Sequence, residues 1–145
     1  MLLRFFLFAA LVFSAACHKK VAEVSLPTGE VKSVAYDVME TLAPGQSLRV
    51  SKEAPLFTFV EVVSDSRCPQ GVDCVRAGEA VARVSLPNGE IKDLVIEVDP
   101  KMPVRFGVKN GLVKVLGLDP YPVARVQTTP EAYRLRVMVE KAALE

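Results

Sequence analysis

The sequence predicts an all-β fold, an antiparallel β-sandwich (Ig-like or related) of about seven to nine strands with one disulfide-pinned loop. Three observations lead there. From Val21 onward, short apolar runs alternate with turn residues at intervals of about ten residues. Several runs alternate apolar and polar side chains with a period of two, as a strand with one buried face requires. Ten prolines and no tryptophan among 145 residues suit strands and turns better than helices.

Taken along the chain, residues 21–32 read as a first hairpin. Its turn, Leu26-Pro27-Thr28-Gly29, puts proline where φ near −65° is wanted and glycine where a left-handed residue precedes the returning strand. Residues 36–42 are a weak helix candidate. Residues 56–63 are nearly continuous in apolar side chains and read as a central strand covered on both faces. Ala80, Ala82, Val84 and Leu86 alternate along another strand, with Leu94, Ile96 and Val98 as its hairpin partner across Leu86-Pro87-Asn88-Gly89. Asn110-Gly111, between residues 104–108 and 112–116, is a two-residue hairpin signal. Thr129-Pro130-Glu131 suits a single helical turn. In the last strand Leu135, Val137 and Val139 point one way, and Arg134, Arg136 and Glu140 the other.

The stretch VAEVSLPTGEVK at 21–32 matches VARVSLPNGEIK at 81–92 in nine of twelve positions. Two copies of twelve residues are too few for a solenoid. A hairpin solution used twice is expected, at equivalent sheet positions.

The first residues follow the order of a secretory signal: positive Arg4, an apolar stretch over 5–13, then small Ser14, Ala15 and Ala16. The apolar run from 5 to 16 is shorter than the roughly 20 residues needed to span a bilayer. Ser14-Ala15-Ala16-Cys17 resembles the lipobox at which bacterial lipoproteins are cut and acylated, with Ser14 where leucine or another apolar residue usually stands. Ordinary cleavage after Ala16 fits the same small residues but leaves a free thiol in an oxidising compartment, so acylation of Cys17 is the expectation. The resulting organisation is a signal peptide over 1–16, a lipid-anchored tether over 17–20 and one β-sandwich domain over 21–145. His18 follows the cysteine where an aspartate would retain the protein at the inner membrane, which resembles the class sent to the outer membrane in a Gram-negative cell. The expected location is the cell envelope, outside the cytoplasm.

Charge excludes some partners. Lysine and arginine total 18 against 17 aspartates and glutamates, so no basic excess exists for a nucleic acid. His18, the one histidine, leaves no multi-histidine metal site. Neither a phosphate-binding glycine loop nor a base-stacking aromatic stripe is present. No cofactor is expected.

The most individual stretch is SDSRCPQGVDCVRA at 64–77. In an exported chain Cys68 and Cys74 would oxidise, and closing a seven-residue ring contributes about 2.4 kcal/mol on the loop-entropy relation. Zinc would need more ligands, a redox pair normally has two intervening residues, and Asp65, Asp73 and Glu79 lack the spacing of a calcium loop. The run Asp65-Ser66-Arg67-Cys68-Pro69, then Gly71-Val72, Cys74-Val75 and Ala77-Gly78-Glu79-Ala80, resembles the core motif of a family of small, uncharacterised bacterial secreted and lipid-anchored proteins. That family also carries a run like Pro120-Tyr121-Pro122 and a last strand led by a tyrosine, here Tyr133. Arg76 stands where the family usually has tryptophan. The resemblance implies a β-domain with a disulfide loop, and no activity.

No serine has a histidine to activate it within the domain, and Asp65 and Asp73 are a poor glycosidase pair without a sugar platform. The expected function is therefore a non-catalytic binding or structural module. It would reach the membrane through Cys17 and an envelope protein or other macromolecule through a loop bearing Asp65, Arg67, Asp73 and Arg76. The alternatives are a protease inhibitor presenting Arg67, and a calcium-binding or small catalytic domain.

Overall fold

Period-two alternation forces a strand to bury every second side chain, and two sheets that bury such faces against each other close a core between them. A computed structural model describes residues 29–98 and 103–142. Among them β1 (Val31–Val34), β3 (Ser47–Val50), β4 (Phe57–Asp65), β5 (Glu79–Ser85) and β6 (Ile91–Glu97) form one sheet, in the order β1-β3-β4-β5-β6. The other sheet, in the order β2-β9-β8-β7, takes β2 (Met39–Leu42), β7 (Arg105–Val108), β8 (Gly111–Asp119) and β9 (Arg134–Lys141). The fold is thus the expected all-β sandwich with one disulfide, Cys68–Cys74. The leader, Cys17, the tether and most of the first expected hairpin lie outside the described residues.

The core follows the alternation in the best-patterned strands. Leu135, Val137 and Val139 are completely buried and share one apolar cluster with Ala80, Ala82 and Val84 of the opposite sheet. Phe57 of β4 and Phe106 of β7 meet edge-to-face across the sandwich, ring centroids 5.2 Å apart and planes at 84°.

Several sequence expectations need correction. β4 is central, between β3 and β5, but it is not covered on both faces: Val63 is 45% exposed. Its register against β5 slips between Phe59 and Glu61 and again between Val62 and Ser64. Each slip inserts a residue, so the apolar run reflects two bulges that break the alternation. Pairing is not wholly antiparallel either, since β1 runs parallel to β3. Between them the chain crosses to the other sheet as β2 and returns, which brings β3 back in the direction of β1. Residues 36–42 hold a turn and β2, not a helix. Val98 lies beyond the end of β6 and is exposed.

The hairpin turns are partly as read. Leu86-Pro87-Asn88-Gly89 closes β5 onto β6, with the Gly89 N–H donating to the Leu86 carbonyl at 2.9 Å and Gly89 left-handed at φ 83°. In the β7–β8 hairpin the loop residues are Lys109 and Asn110, one earlier than the Asn-Gly pair, because Val108 already pairs with Gly111. Asn110 takes the left-handed position, φ 63°, and Gly111 is needed for closeness: a Cβ there would lie 2.8 Å from the Glu140 carbonyl oxygen. Of the repeated dodecapeptide, the first copy's turn at Leu26-Pro27-Thr28 lies outside the described residues. Gly29, the first described residue, backs so closely onto the Gly45 carbonyl that a Cβ there would overlap it. The second arms of the two copies start β1 and β6, at opposite edges of the same sheet.

Strand directions define two ends. β4 runs toward the disulfide loop, β3 runs against β4, and β1 runs with β3, so β1 heads away from the loop end. The β8–β9 connection shares the loop end, while the hairpin tips at Asn88 and Asn110 sit at the other.

Candidate functional site: the pinned loop and its buried arginine

The two bulges in β4 decide what the loop can be. They leave Asp65 opposite Ala80, a completely buried residue of β5, so the carboxylate lies on the core side at the end of the sandwich. A charge there must be paired. Arg67, two residues later, folds back onto it: Nε donates to Asp65 Oδ1 at 2.8 Å and Nη2 to Oδ2 at 2.6 Å, a two-pronged contact. The Arg67 backbone N–H adds a third bond to Oδ1 at 3.2 Å.

The rest of the guanidinium is also used. Nη1 donates to the Leu118 carbonyl at 2.6 Å and Nη2 to the Pro120 carbonyl at 2.9 Å. The Tyr121 ring lies over the group, 5.2 Å from Cζ to the centroid. Below Asp65, the Tyr133 hydroxyl donates to Oδ2 at 3.2 Å. Tyr133 reaches that position because a single 3-10 turn, Pro130–Ala132, ends at it before β9. Burial pushes the Asp65 carboxyl up, but the Arg67 hydrogen bonds and charge, with the Tyr133 hydroxyl, outweigh it and hold the group below its usual range. Burial would lower the Arg67 guanidinium, yet Asp65 raises it. The Tyr133 phenol is raised by burial and by the Asp65 charge and hydrogen bond.

Arg67 is 5% exposed, so the expectation that it is a contact residue is overturned. With its fork on Asp65 it is not available to a partner's carboxylate, nor can it enter a protease's specificity pocket. Asp65 is likewise committed to Arg67, and among the described residues no three His, Cys, Asp or Glu side chains gather to hold a metal, which removes the calcium loop of Asp65, Asp73 and Glu79.

The loop itself is fixed from several sides. At its base the Cys68 N–H donates to the Ala77 carbonyl at 2.7 Å and the Ser66 N–H to the Glu79 carbonyl at 2.8 Å. Gly78, at φ 72°, packs so closely on the Ser66 carbonyl that a Cβ would overlap it. The disulfide closes the ring. Gln70 then stitches the ring to the β8–β9 connection, its N–H donating to the Pro122 carbonyl at 2.9 Å and its carbonyl accepting from the Ala124 N–H at 3.1 Å.

The two remote parts of the motif thus meet in one structural unit: Pro120, Tyr121, Pro122 and Tyr133 all serve Arg67, Asp65 or Gln70. Asp73 and Arg76 remain exposed, as expected of contact residues, and so do two apolar side chains the sequence reading did not single out, Val72 and Val75. Val75 is fully exposed. Across the stitch, Val123 and Val126 are exposed as well, and Arg125 stands left-handed between them at φ 63°. The sequence also gave no sign of a groove of about 900 Å³ at the opposite end, between Pro55, Pro87 and Lys109. No family model matches the chain, and neither the curated proteins nor the solved structures include a significant match.

Proposed function

We propose that the chain is an exported bacterial envelope lipoprotein, anchored through Cys17, whose sandwich is a non-catalytic binding module with the rim of the disulfide loop as its contact surface. The observation that carries this reading is a division of labour within fourteen residues, 64–77. Asp65, Arg67, Cys68, Gln70 and Cys74 hold the backbone, while Val72, Asp73, Val75 and Arg76 are left pointing at solvent. A loop already fixed loses little entropy on docking, and exposed valines have no folding reason to be held in water.

Two measurements test it. A photo-crosslinking residue at Arg76 should capture envelope material, protein or lipid, well above the same residue at Asn88 on the opposite end. Equal yield at both positions removes the loop as the contact surface. Cys17→Ala should move the protein from the membrane to the soluble fraction, and mass spectrometry of the wild type should find a diacylglyceryl group on Cys17. An unmodified Cys17 in soluble wild-type protein refutes the anchoring.

A further inference from the structure

We infer that the free edge of β6 seats a second copy of this chain, the two β6 strands pairing antiparallel about Leu94 so that two five-stranded sheets become one. Of the strands at sheet edges, β1, β2 and β7 are four residues each. β6 is seven residues, paired to β5 without a bulge and to no strand on its other side among the described residues. A long, regular edge is a template for another strand.

The turn fixes which backbone groups are free. The Leu86 N–H donates to the Glu90 carbonyl at 2.8 Å, so these two form a hydrogen-bonded pair. Bonded pairs then recur at every second position of an antiparallel ladder, at Val84–Lys92, Ala82–Leu94 and Ala80–Ile96. The N–H and C=O groups of Ile91, Asp93, Val95 and Glu97 therefore point away from β5. Their side chains lie on the outer face and all are exposed, Ile91 by 51% and Val95 by 43%.

Charge selects both the occupant and the register. With the pairing centred on Leu94, Ile91 of one copy faces Glu97 of the other, and Asp93 faces Val95. Each such pair exchanges two backbone bonds, and no like charges stand opposite. Sliding one strand by two residues either way sets Asp93 against Asp93 or against Glu97, where the acids repel. Asp93 brings its own countercharge, since Arg83 grips it through Nε at 2.8 Å and Nη2 at 2.9 Å. Lys92, the cation on the inner side of this edge, is turned back onto Glu90 at 2.6 Å. Across the seam Ile91 and Val95 meet diagonally and shield each other from water. A strip this narrow belongs with the small, transient interfaces, so the dimer forms with a Kd of about 100 µM.

The test uses the full chain carrying Cys17→Ser, so that neither an acyl group nor a free thiol joins two copies by another route. Sedimentation should show monomer at about 10 µM and mostly dimer at about 1 mM, and monomer throughout overturns the inference. Val95→Pro removes an outward N–H without touching the β5 ladder, and with one bond lost in each copy it should weaken the dimer about tenfold. A dimer of undiminished strength in folded Val95→Pro overturns the edge as its seat. If that variant does not fold, amide exchange in the parent decides. The amides of Ile91, Asp93, Val95 and Glu97 should exchange about fourfold more slowly at the higher concentration, and unchanged rates overturn the pairing. Ile91→Cys chains mixed with Glu97→Cys chains should form the mixed disulfide in excess of random pairing, and random pairing overturns the register. Protection of these amides that appears only when envelope extract is added overturns the second copy in favour of a partner's strand.

Discussion

At the scale of the residue, Arg67 is the side chain on which most depends. Its two-pronged contact with Asp65, its bonds to two carbonyls and its burial mean that Arg67→Met strands a carboxylate at the end of the core. Removing one partner of a buried pair costs about 3–5 kcal/mol, and urea denaturation should show a loss of that size. Arg67→Lys should also be destabilising, because an ammonium cannot span both carboxylate oxygens and two carbonyls at once. The depressed Asp65 pKa gives the pH dependence a definite sign. Stability from the pair is fully present above the unfolded carboxyl pKa of about 3.9 and is lost as pH falls through the lower folded value. The urea midpoint of the wild type should therefore drop in acid below about pH 4, and Asp65→Asn should be less stable at neutral pH and flatter across that window. None of this is legible in the sequence. The carbonyl partners of Arg67 lie 51 and 53 residues away and the tyrosine on Asp65 lies 68 away, so local reading sees two charges in a polar loop.

At the scale of the element, legibility follows the integrity of the period. β9 was readable because nothing interrupts its alternation, and β5 and β6 because a Pro-Asn-Gly turn fixes their register. β4 was readable as a strand, but its two bulges turned Val63 outward and Asp65 inward, and no residue in the run announces where a bulge falls. β2 and β3 were missed because four residues each, with Glu40, Thr41, Ser47 and Arg49 among them, hold too little pattern to read. Two glycines separate conformation from packing. Gly89→Ala meets no atom within 4 Å and carries only the cost of its left-handed φ, about 1 kcal/mol. Gly78→Ala has that cost and a backbone overlap with Ser66, so its loss in thermal denaturation should exceed that of Gly89→Ala. Reducing Cys68–Cys74 should cost about 2 kcal/mol with an unchanged β-type circular dichroism spectrum, less than Arg67→Met.

At the scale of the whole molecule, the fold class was legible and the topology was not. Sandwich architecture needs only alternation and turns, whereas the order β2-β9-β8-β7 depends on which distant strands meet. The edge-to-face pair of Phe57 and Phe106 joins the sheets at the end opposite the loop, and Phe57→Ala should cost about 3–5 kcal/mol. A double-mutant cycle with Phe106→Ala should return a coupling of about 0.5–1.5 kcal/mol.

The pairing of β2 with β9 sets Met39 beside Met138, joining the second described strand to the last. β9 is also the neighbour of β8, so without it the smaller sheet falls into separate pieces and the larger one has nothing to close against. Synthesis or translocation delivers residues in order from the N-terminus, and a chain still held before residue 134 lacks the strand that completes its interior. The β4–β5 and β5–β6 hairpins can form early, but the cooperative unit waits for the last strand to be released. A chain emerging in sequence order would thus stay pliable until residues 134–141 are free to pair.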